Sequence, residues 1–134
     1  MFHIVYVSTA TRPFTDADAE QVLGQARAFN DEHGVTGLLL HVGDTFLQVL
    51  EGESDAVEAA YRGAAESSRH SDVLRTPAIP VAGRVFPEWA MGFERAAPGQ
   101  LVEQVLQPLV HHQLVTGELV REVLLQRWYA GVAA

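Results

Sequence analysis

A side-chain amide lies in the middle of an otherwise apolar stretch of this 134-residue chain. In the period-two alternation of a strand, Phe46, Gln48 and Leu50 share one face, whereas Leu47 and Val49 share the other. An amide carries two donors and an acceptor, and each group left buried without a partner costs about 1 to 3 kcal/mol. Gln48 is therefore either a core glutamine satisfied by backbone or water, or a side chain held in place for a ligand.

Three further polar or polarisable side chains are predicted to meet Gln48. Tyr6 falls on a neighbouring strand and faces the same way, Asn30 lies above on a helix, and Met91 lies beside them on the last strand. A phenol, two amides and a thioether can form a hydrogen-bonded chain that a planar heteroaromatic ligand completes at its edge. The apolar contacts for the flat faces of such a ligand are Val22, Leu39 and Phe46. Acid–base catalysis would need carboxylates or a histidine here, and the prediction places none.

The elements that position these residues begin with a strand and a helix. Alternating aromatic and β-branched residues predict a strand over Phe2–Ser8. Thr15 is an expected N-cap, with Asp18 three residues later, for a helix that runs to about His33. The apolar stripe of this helix places Asn30 on its inward face.

A hairpin is predicted next. The strand Val35–Val42 leads through a Gly43-Asp44 turn into the strand that carries Gln48, which places Leu39 opposite Gln48. A second helix is expected to start with Ser54 as its N-cap and to end near Ser68.

Two more strands complete the predicted sheet. The proline-marked segment 76–82 can only be an edge strand or irregular, and 86–93 is predicted as a strand with Trp89, Met91 and Phe93 on one face. The order βαββαββ predicts an α+β, ferredoxin-like sheet in which the first and third strands are neighbours and both helices cover one face.

The remaining residues have the apolar spacing of two helices. We expect these C-terminal helices to pack on the other face of the sheet, which would otherwise expose a large apolar patch. The predicted organisation is therefore an α+β domain over 1–95 and a helical extension over 96–134.

Composition excludes several classes of function. Nine arginines against 17 acidic residues give a net charge of −8, which disfavours nucleic acid and anionic membranes as partners. The sequence has no cysteine and no membrane-spanning run, and we expect a cytoplasmic protein. The adjacent pair His111-His112 diverges on a helix, so no metal site is predicted. Four arginines are expected in solvent: Arg62, Arg75, Arg84 and Arg95.

Six segments together resemble one family, the BLUF domains, which are blue-light photoreceptors that use flavin. The resemblance covers residues 1 to about 94, and any one segment alone is weak. The segments are Ile4-Val5-Tyr6-Val7-Ser8, Ala26-Arg27 with Asn30, Gly34-Val35-Thr36-Gly37-Leu38-Leu39, Phe46-Leu47-Gln48-Val49-Leu50-Glu51-Gly52, Arg69-His70, and Phe86-Pro87-Glu88-Trp89-Ala90-Met91.

The resemblance implies a role for each matching residue. Tyr6 matches the photoactive tyrosine, which gives an electron and a proton to the excited flavin, and Gln48 matches the glutamine that then reorganises its amide. Trp89 and Met91 match the pair that relays this change. The expected flavin contacts are Asn30 and Met91 at the ring, Arg69 and His70 along the ribityl and phosphate side, and Ser8, Val22, Leu39 and Phe46.

The implied function is a non-enzymatic blue-light receptor that binds FAD without a covalent bond, with FMN or riboflavin as alternatives. No attached output domain is recognisable, so the signal is expected to reach a separate protein or a second subunit of a homo-oligomer. The other possibilities are a light-inactive dimerising module of this family and an acylphosphatase-like hydrolase. The chain departs from the family pattern at Phe29, Gly63 and Ser67, on the phosphate side, which predicts weak discrimination among flavins.

Overall fold

The computed structural model describes residues 1–42, 44–84 and 86–95. In these residues a mixed sheet carries two helices on one face. The strands are β1 (Phe2–Ala10), β2 (Thr36–Val42), β3 (Thr45–Gly52), β4 (His70–Arg75), β5 (Ile79–Pro80) and β6 (Gly92–Arg95), and the helices are α1 (Asp16–His33) and α2 (Ser54–Ala65). The strand order is β4-β1-β3-β2-β6, with β5 also paired to β1. The ferredoxin-like α+β fold with β1 beside β3 is confirmed.

The central strands have the predicted register. β2 and β3 form the hairpin, with Leu39 opposite Gln48. On its other side β3 pairs antiparallel with β1, which places Tyr6 opposite Gln48. Because side chains alternate along each strand, these three residues point to the same face, toward the helices.

Both ends of α1 lie where the sequence predicts them. The Asp18 N–H donates to Thr15 Oγ1 at 3.1 Å, and the Thr15 N–H donates to the Asp18 carboxylate at 3.0 Å, which completes a capping box. Gly34 ends the helix with φ 67°, a conformation that glycine adopts without steric cost. With both ends fixed, Asn30 faces the sheet and is 2% exposed.

α2 differs from the prediction at its start. Its N-cap is Glu53, whose side chain makes no capping hydrogen bond, and Ser54 is the first helical residue. The prediction of Ser54 as N-cap is wrong by one residue because β3 extends to Gly52 and leaves only one residue before the helix. The inward stripe is as predicted, with Val57 fully buried in the core. Neither helix of the described residues is long and apolar enough to cross a bilayer.

The prediction for residues 69–95 is wrong in two places, at β4 and at the last strand. β4 was not predicted, because it lacks a period-two pattern and forms on an open edge of β1 with a register shift between Val7 and Thr9. The segment 76–82 is irregular apart from the two-residue strand β5, as predicted. The last strand begins at Gly92 and runs parallel to β2, whereas Trp89 follows a turn and is 47% exposed. Trp89 therefore does not share a strand face with Met91.

Of the four arginines expected in solvent, Arg75 and Arg84 are partly buried and bound, whereas Arg62 and Arg95 are exposed as predicted. Arg75 donates two hydrogen bonds to the Glu58 carboxylate, at 2.8 and 2.9 Å. Arg84 and Arg95 donate to backbone carbonyls that flank α1, at 2.6 and 2.9 Å. Arginines that tie separate segments together cannot be recognised from local sequence, because their partners are about 17 to 81 residues away.

The sheet face away from α1 and α2 is also buried. Leu38, Leu40, Leu47 and Val49 on this face are at most 5% exposed. The two C-terminal helices that the sequence predicts over this face fall in 96–134, outside the described residues. Their packing and the domain division at residue 95 stay predictions.

The same face of β1 contains a buried histidine. His3 is fully buried, and neither of its ring nitrogens has a hydrogen-bond partner among the described residues. Burial lowers the pKa of His3 from 6.5 to about 4, because a charged imidazolium would lose its hydration. The folded protein therefore favours the neutral ring.

We predict that the protein loses stability as the pH falls from about 6.5 to about 4, and that His3→Leu reduces this loss. In that window the unfolded chain binds a proton at His3 and the folded chain does not, so the free energy of unfolding declines. Across the whole window the decline amounts to about 3 kcal/mol. Urea unfolding at several pH values measures both proteins. An equal acid-dependent loss in His3→Leu would contradict the assignment.

Candidate functional site

A cavity of about 320 Å³ lies between the two helices and the sheet. The sheet contributes Tyr6, Leu39, Phe46, Gln48 and Leu50 to its lining. The helices contribute Val22, Phe29, Asn30, Ala60 and Gly63, among others. Small-molecule sites typically occupy roughly 300 to 1,000 Å³ and have apolar walls with a few polar groups, which matches this lining.

The polar centre of the cavity is a hydrogen bond between Tyr6 and Gln48. The Tyr6 hydroxyl donates to Gln48 Oε1, and the two side chains are 4% and 5% exposed. Burial raises the pKa of Tyr6 above its ordinary value, since a phenolate would lose its hydration, and nearby Tyr61 raises it further. Tyr6 is therefore a neutral phenol whose hydroxyl donates a hydrogen bond to the amide oxygen.

The other end of the Gln48 amide contacts sulfur. Gln48 Nε2 donates to Met91 Sδ at 3.4 Å, and Met91 is 1% exposed. A thioether is a weak acceptor, whereas the phenol is a good donor. The amide is therefore held firmly at its oxygen and loosely at its nitrogen.

Asn30 connects the cavity to the chain segment before β6. Its Nδ2 donates to the Ala90 carbonyl at 2.6 Å, and the side chain lines the cavity. No hydrogen bond to Asn30 Oδ1 is present among the described residues. That oxygen is an open acceptor suited to an N–H group at the edge of a planar ligand.

His70, which the resemblance places along the ribityl and phosphate side of a flavin, also lines the cavity. Its Nε2 is 2.6 Å from the Ala64 carbonyl, and its Nδ1 is 2.6 Å from Ser8 Oγ. Because a carbonyl can only accept, Nε2 carries the proton, and a neutral ring then accepts from the Ser8 hydroxyl at Nδ1. Both nitrogens are engaged, so His70 is a structural wall rather than a general base.

Arg69 is the one cation among the described residues that line the cavity, and other polar side chains lie close to it. Arg69 donates to Gln21 Oε1, and its Nε is 3.9 Å from Asp18 Oδ1. Hydrogen bonds from Thr15, with nearby Arg12 and Arg69, hold the pKa of Asp18 below its usual value. Arg69 therefore contributes less positive potential to an anionic ligand than a free arginine would.

Seven predicted site residues line the cavity together with Gln48, and three others do not line it. The seven are Tyr6, Val22, Asn30, Leu39, Phe46, Arg69 and His70. Ser8 lies behind His70, and Met91 lies behind Gln48. Trp89 is on the surface, where its ring stacks on Phe86 at 5.8 Å between ring centroids.

The sequence analysis missed Phe14. This residue lines the cavity, its ring packs edge-on to Phe46 with centroids 4.8 Å apart, and Arg95 holds its carbonyl. An apolar residue directly before the N-cap Thr15 often packs against its own helix, which was the one available signal. That signal does not point to Phe46, since the two rings meet only in the fold.

The arrangement is suited to electron and proton exchange with a bound planar group. A phenol, an amide and a thioether form a continuous chain, and one end of this chain opens into an apolar cavity. Among the described lining residues there is no carboxylate, and the single imidazole is engaged at both nitrogens. Hydrolysis by acid–base catalysis has no suitable group in this lining.

Comparison with known proteins adds to this picture. The model of the BLUF family, described as sensors of blue-light using FAD, matches residues 1–92. Photoactivated adenylate cyclase subunit beta of Euglena gracilis is 38% identical over 89 residues, which are 66% of this chain and 10% of that protein. The corresponding subunit of Euglena longa is 35% identical over the same length. The chain thus spans about a tenth of the length of these curated relatives.

Solved structures have the same fold. BlrB, a BLUF protein in its dark state, is 26% identical with a TM-score of 0.69, covering 98% of this chain and 96% of that one. BlrP1 of Klebsiella pneumoniae with FMN and cyclic diGMP is 27% identical with a TM-score of 0.65, covering 92% and 33%. Photo-activated BlsA has a TM-score of 0.72 at 21% identity, covering 95% and 93%, and its likeness concerns the fold alone.

Proposed function

The chain belongs to the BLUF family of blue-light sensors that use FAD, and we propose that Tyr6 and Gln48 are its photoactive pair beside a flavin bound without a covalent bond in the cavity. The observation that carries this proposal is the buried chain from the Tyr6 hydroxyl through the Gln48 amide to Met91 Sδ. The matched region is a photosensor domain rather than a catalytic one.

Tyr6 is the proposed donor. A bound flavin would supply the absorption of blue light and an acceptor for an electron from Tyr6. The raised pKa of Tyr6 keeps the phenol protonated in the dark, so Tyr6 has both an electron and a proton to give. Gln48 Oε1 already accepts this proton in a hydrogen bond, which gives the proton a path toward the amide.

Gln48 is the proposed switch. Its oxygen and nitrogen have different partners, so a rotated amide presents a donor where an acceptor stood, and the reverse. The weak bond to Met91 is the contact given up in this exchange. Asn30 supports the ring edge with its open Oδ1, and its Nδ2 stays anchored to the Ala90 carbonyl.

The output is proposed to pass through residues 89–91 to a separate protein or to a second copy of the chain. Gln48 and Asn30 both line the cavity and both bind this segment, at Met91 Sδ and at the Ala90 carbonyl. A change of hydrogen bonding inside the cavity therefore reaches backbone beside the exposed Trp89. The adenylate cyclase activity named for the Euglena proteins belongs to those relatives.

We propose that the cavity specifies the flavin ring more strongly than the phosphate tail. Phe29, Gly63 and Ser67, where the sequence departs from the family pattern, all line the cavity. Among the described lining residues Arg69 is the only charged one, and Asp18 shares it. FAD is the family cofactor, and FMN and riboflavin should bind with similar affinity.

The first test is a visible spectrum. We expect the protein, purified or reconstituted with FAD, to be yellow, and blue light to shift its flavin absorption reversibly to slightly longer wavelength. No cysteine is present in the chain, so no thiol adduct can form. A colourless protein after reconstitution would contradict flavin binding. A yellow protein without a light-induced shift would identify a light-inactive module.

Removing either member of the photoactive pair should abolish the shift. Tyr6→Phe leaves the Gln48 oxygen unpaired and Gln48→Leu leaves the Tyr6 hydroxyl unpaired, each at a cost of about 1 to 3 kcal/mol, which a folded protein tolerates. Tyr61→Phe is a matched control, because its ring contacts Tyr6 at 5.6 Å between centroids without joining the hydrogen-bonded chain. Light-minus-dark spectra decide the matter, and a normal photocycle in Tyr6→Phe would reject Tyr6 as donor.

Titration of the apoprotein with three flavins tests how strongly the protein recognises the phosphate tail. We expect dissociation constants for FAD, FMN and riboflavin within about tenfold of one another, because one shared arginine supplies about one charge-assisted hydrogen bond. Arg69→Gln should reduce the differences further and leave riboflavin binding unchanged. A preference for FAD over riboflavin of about a hundredfold or more would show that the tail has additional partners.

A further inference from the structure

Three consecutive carbonyls before β6 are held by three separate residues. The Gly37 N–H donates to the Trp89 carbonyl at 3.0 Å, and Asn30 Nδ2 donates to the Ala90 carbonyl at 2.6 Å. Arg27 Nε donates to the Met91 carbonyl at 3.0 Å. Residues 89–91 lie outside any strand. Side chains of α1 therefore donate some of the hydrogen bonds that backbone N–H groups donate between paired strands.

Arg27 differs from the other two donors in its position. It lies three residues before Asn30 on α1, so the two side chains leave the helix on the same side. Asn30 lines the cavity, whereas Arg27 does not. Arg27 is exposed, and among the described residues its side chain donates a hydrogen bond to the Met91 carbonyl alone. The contact therefore fixes Met91 without touching a ligand in the cavity.

Fixing the Met91 carbonyl also fixes the direction of its side chain. The Met91 side chain points inward, and its sulfur accepts the Gln48 Nε2–H bond. This bond is weak, so it cannot by itself hold a long unbranched side chain in one place. The position of Met91 Sδ depends instead on the backbone, which Arg27 holds from the helix.

We infer that Arg27 is a positioning residue for the light response: it keeps the Met91 sulfur against the Gln48 amide and thereby sets the lifetime of the light-induced state. The inference rests on the proposed function of Gln48. When the amide is rotated, its oxygen faces the fixed sulfur, and two acceptors in contact disfavour that state. A Met91 that is free to move would relieve this contact, so the light-induced state should last longer without Arg27.

The first experiment needs no light. The chain has two methionines, Met1 and Met91, so ¹³C-methyl methionine labelling gives two NMR signals. We expect the Met91 signal to shift or broaden in Arg27→Gln, and to return toward its original position in Arg27→Lys, which restores a cationic donor. Arg62→Gln is the matched control, since Arg62 is an exposed arginine on α2 without a contact to residues 89–91. An unchanged Met91 signal in Arg27→Gln would overturn the inference.

The second experiment uses the flavin-loaded protein. Arg27→Gln should bind FAD with unchanged affinity and show the light-induced shift, but recover in the dark roughly threefold to tenfold more slowly, the effect expected from one hydrogen bond. Arg62→Gln should recover at the natural rate. Equal recovery rates in Arg27→Gln and the natural protein would overturn the role of Arg27. A natural protein that shows no light-induced shift would instead overturn the proposed function, whatever the NMR signals show.

Discussion

The structure depends on one buried hydrogen bond between side chains of neighbouring strands. A phenol and an amide that are both about 5% exposed would each cost free energy without a partner, and in the described residues Tyr6 and Gln48 satisfy each other. Their meeting requires the β1–β3 register to be correct to the residue, because a slip of one residue would turn one side chain to the opposite face. The β2–β3 hairpin supports that register from the other side, where Leu39 pairs with Gln48.

Arg84 and residues 86–91 lie outside any strand, and side chains supply much of their hydrogen bonding. The buried Glu51 carboxylate accepts the Phe86 N–H at 2.7 Å, and Arg84 donates to the Glu51 carbonyl at 3.0 Å. Farther along, Asn30 holds the segment from α1. Backbone groups that cannot pair in a ladder must find other partners, and here those partners include residues of the cavity wall. This shared bonding is the physical reason why a change at Gln48 can reach the surface near residue 89.

The two ends of the cavity differ in their chemistry. At the Tyr6–Gln48 end, each polar group has a defined hydrogen-bond partner or is an open acceptor, so the site is specific for the positions of a ligand's donors. At the Arg69 end, Gln21 accepts a hydrogen bond from the arginine that an anionic group would use, and the Asp18 carboxylate lies 3.9 Å from its Nε. A ligand is therefore recognised by the pattern of its ring edge more than by its charge.

The sequence by itself determined the local elements and much of the central sheet. The Thr15 capping box, the Gly34 stop and the hairpin that sets Leu39 opposite Gln48 follow from short-range patterns, and the structure agrees with each. From these, the inward positions of Tyr6 and Asn30 follow by periodicity.

Only the tertiary structure decided the elements without a pattern of their own. β4 exists because β1 has an open edge, and the turn before β6 removes Trp89 from the strand face where alternation would place it. The arginine contacts join residues far apart in the chain, and Phe14 reaches the cavity only because its ring meets Phe46. Local sequence encodes propensity and period, whereas such contacts depend on which surfaces the fold brings together.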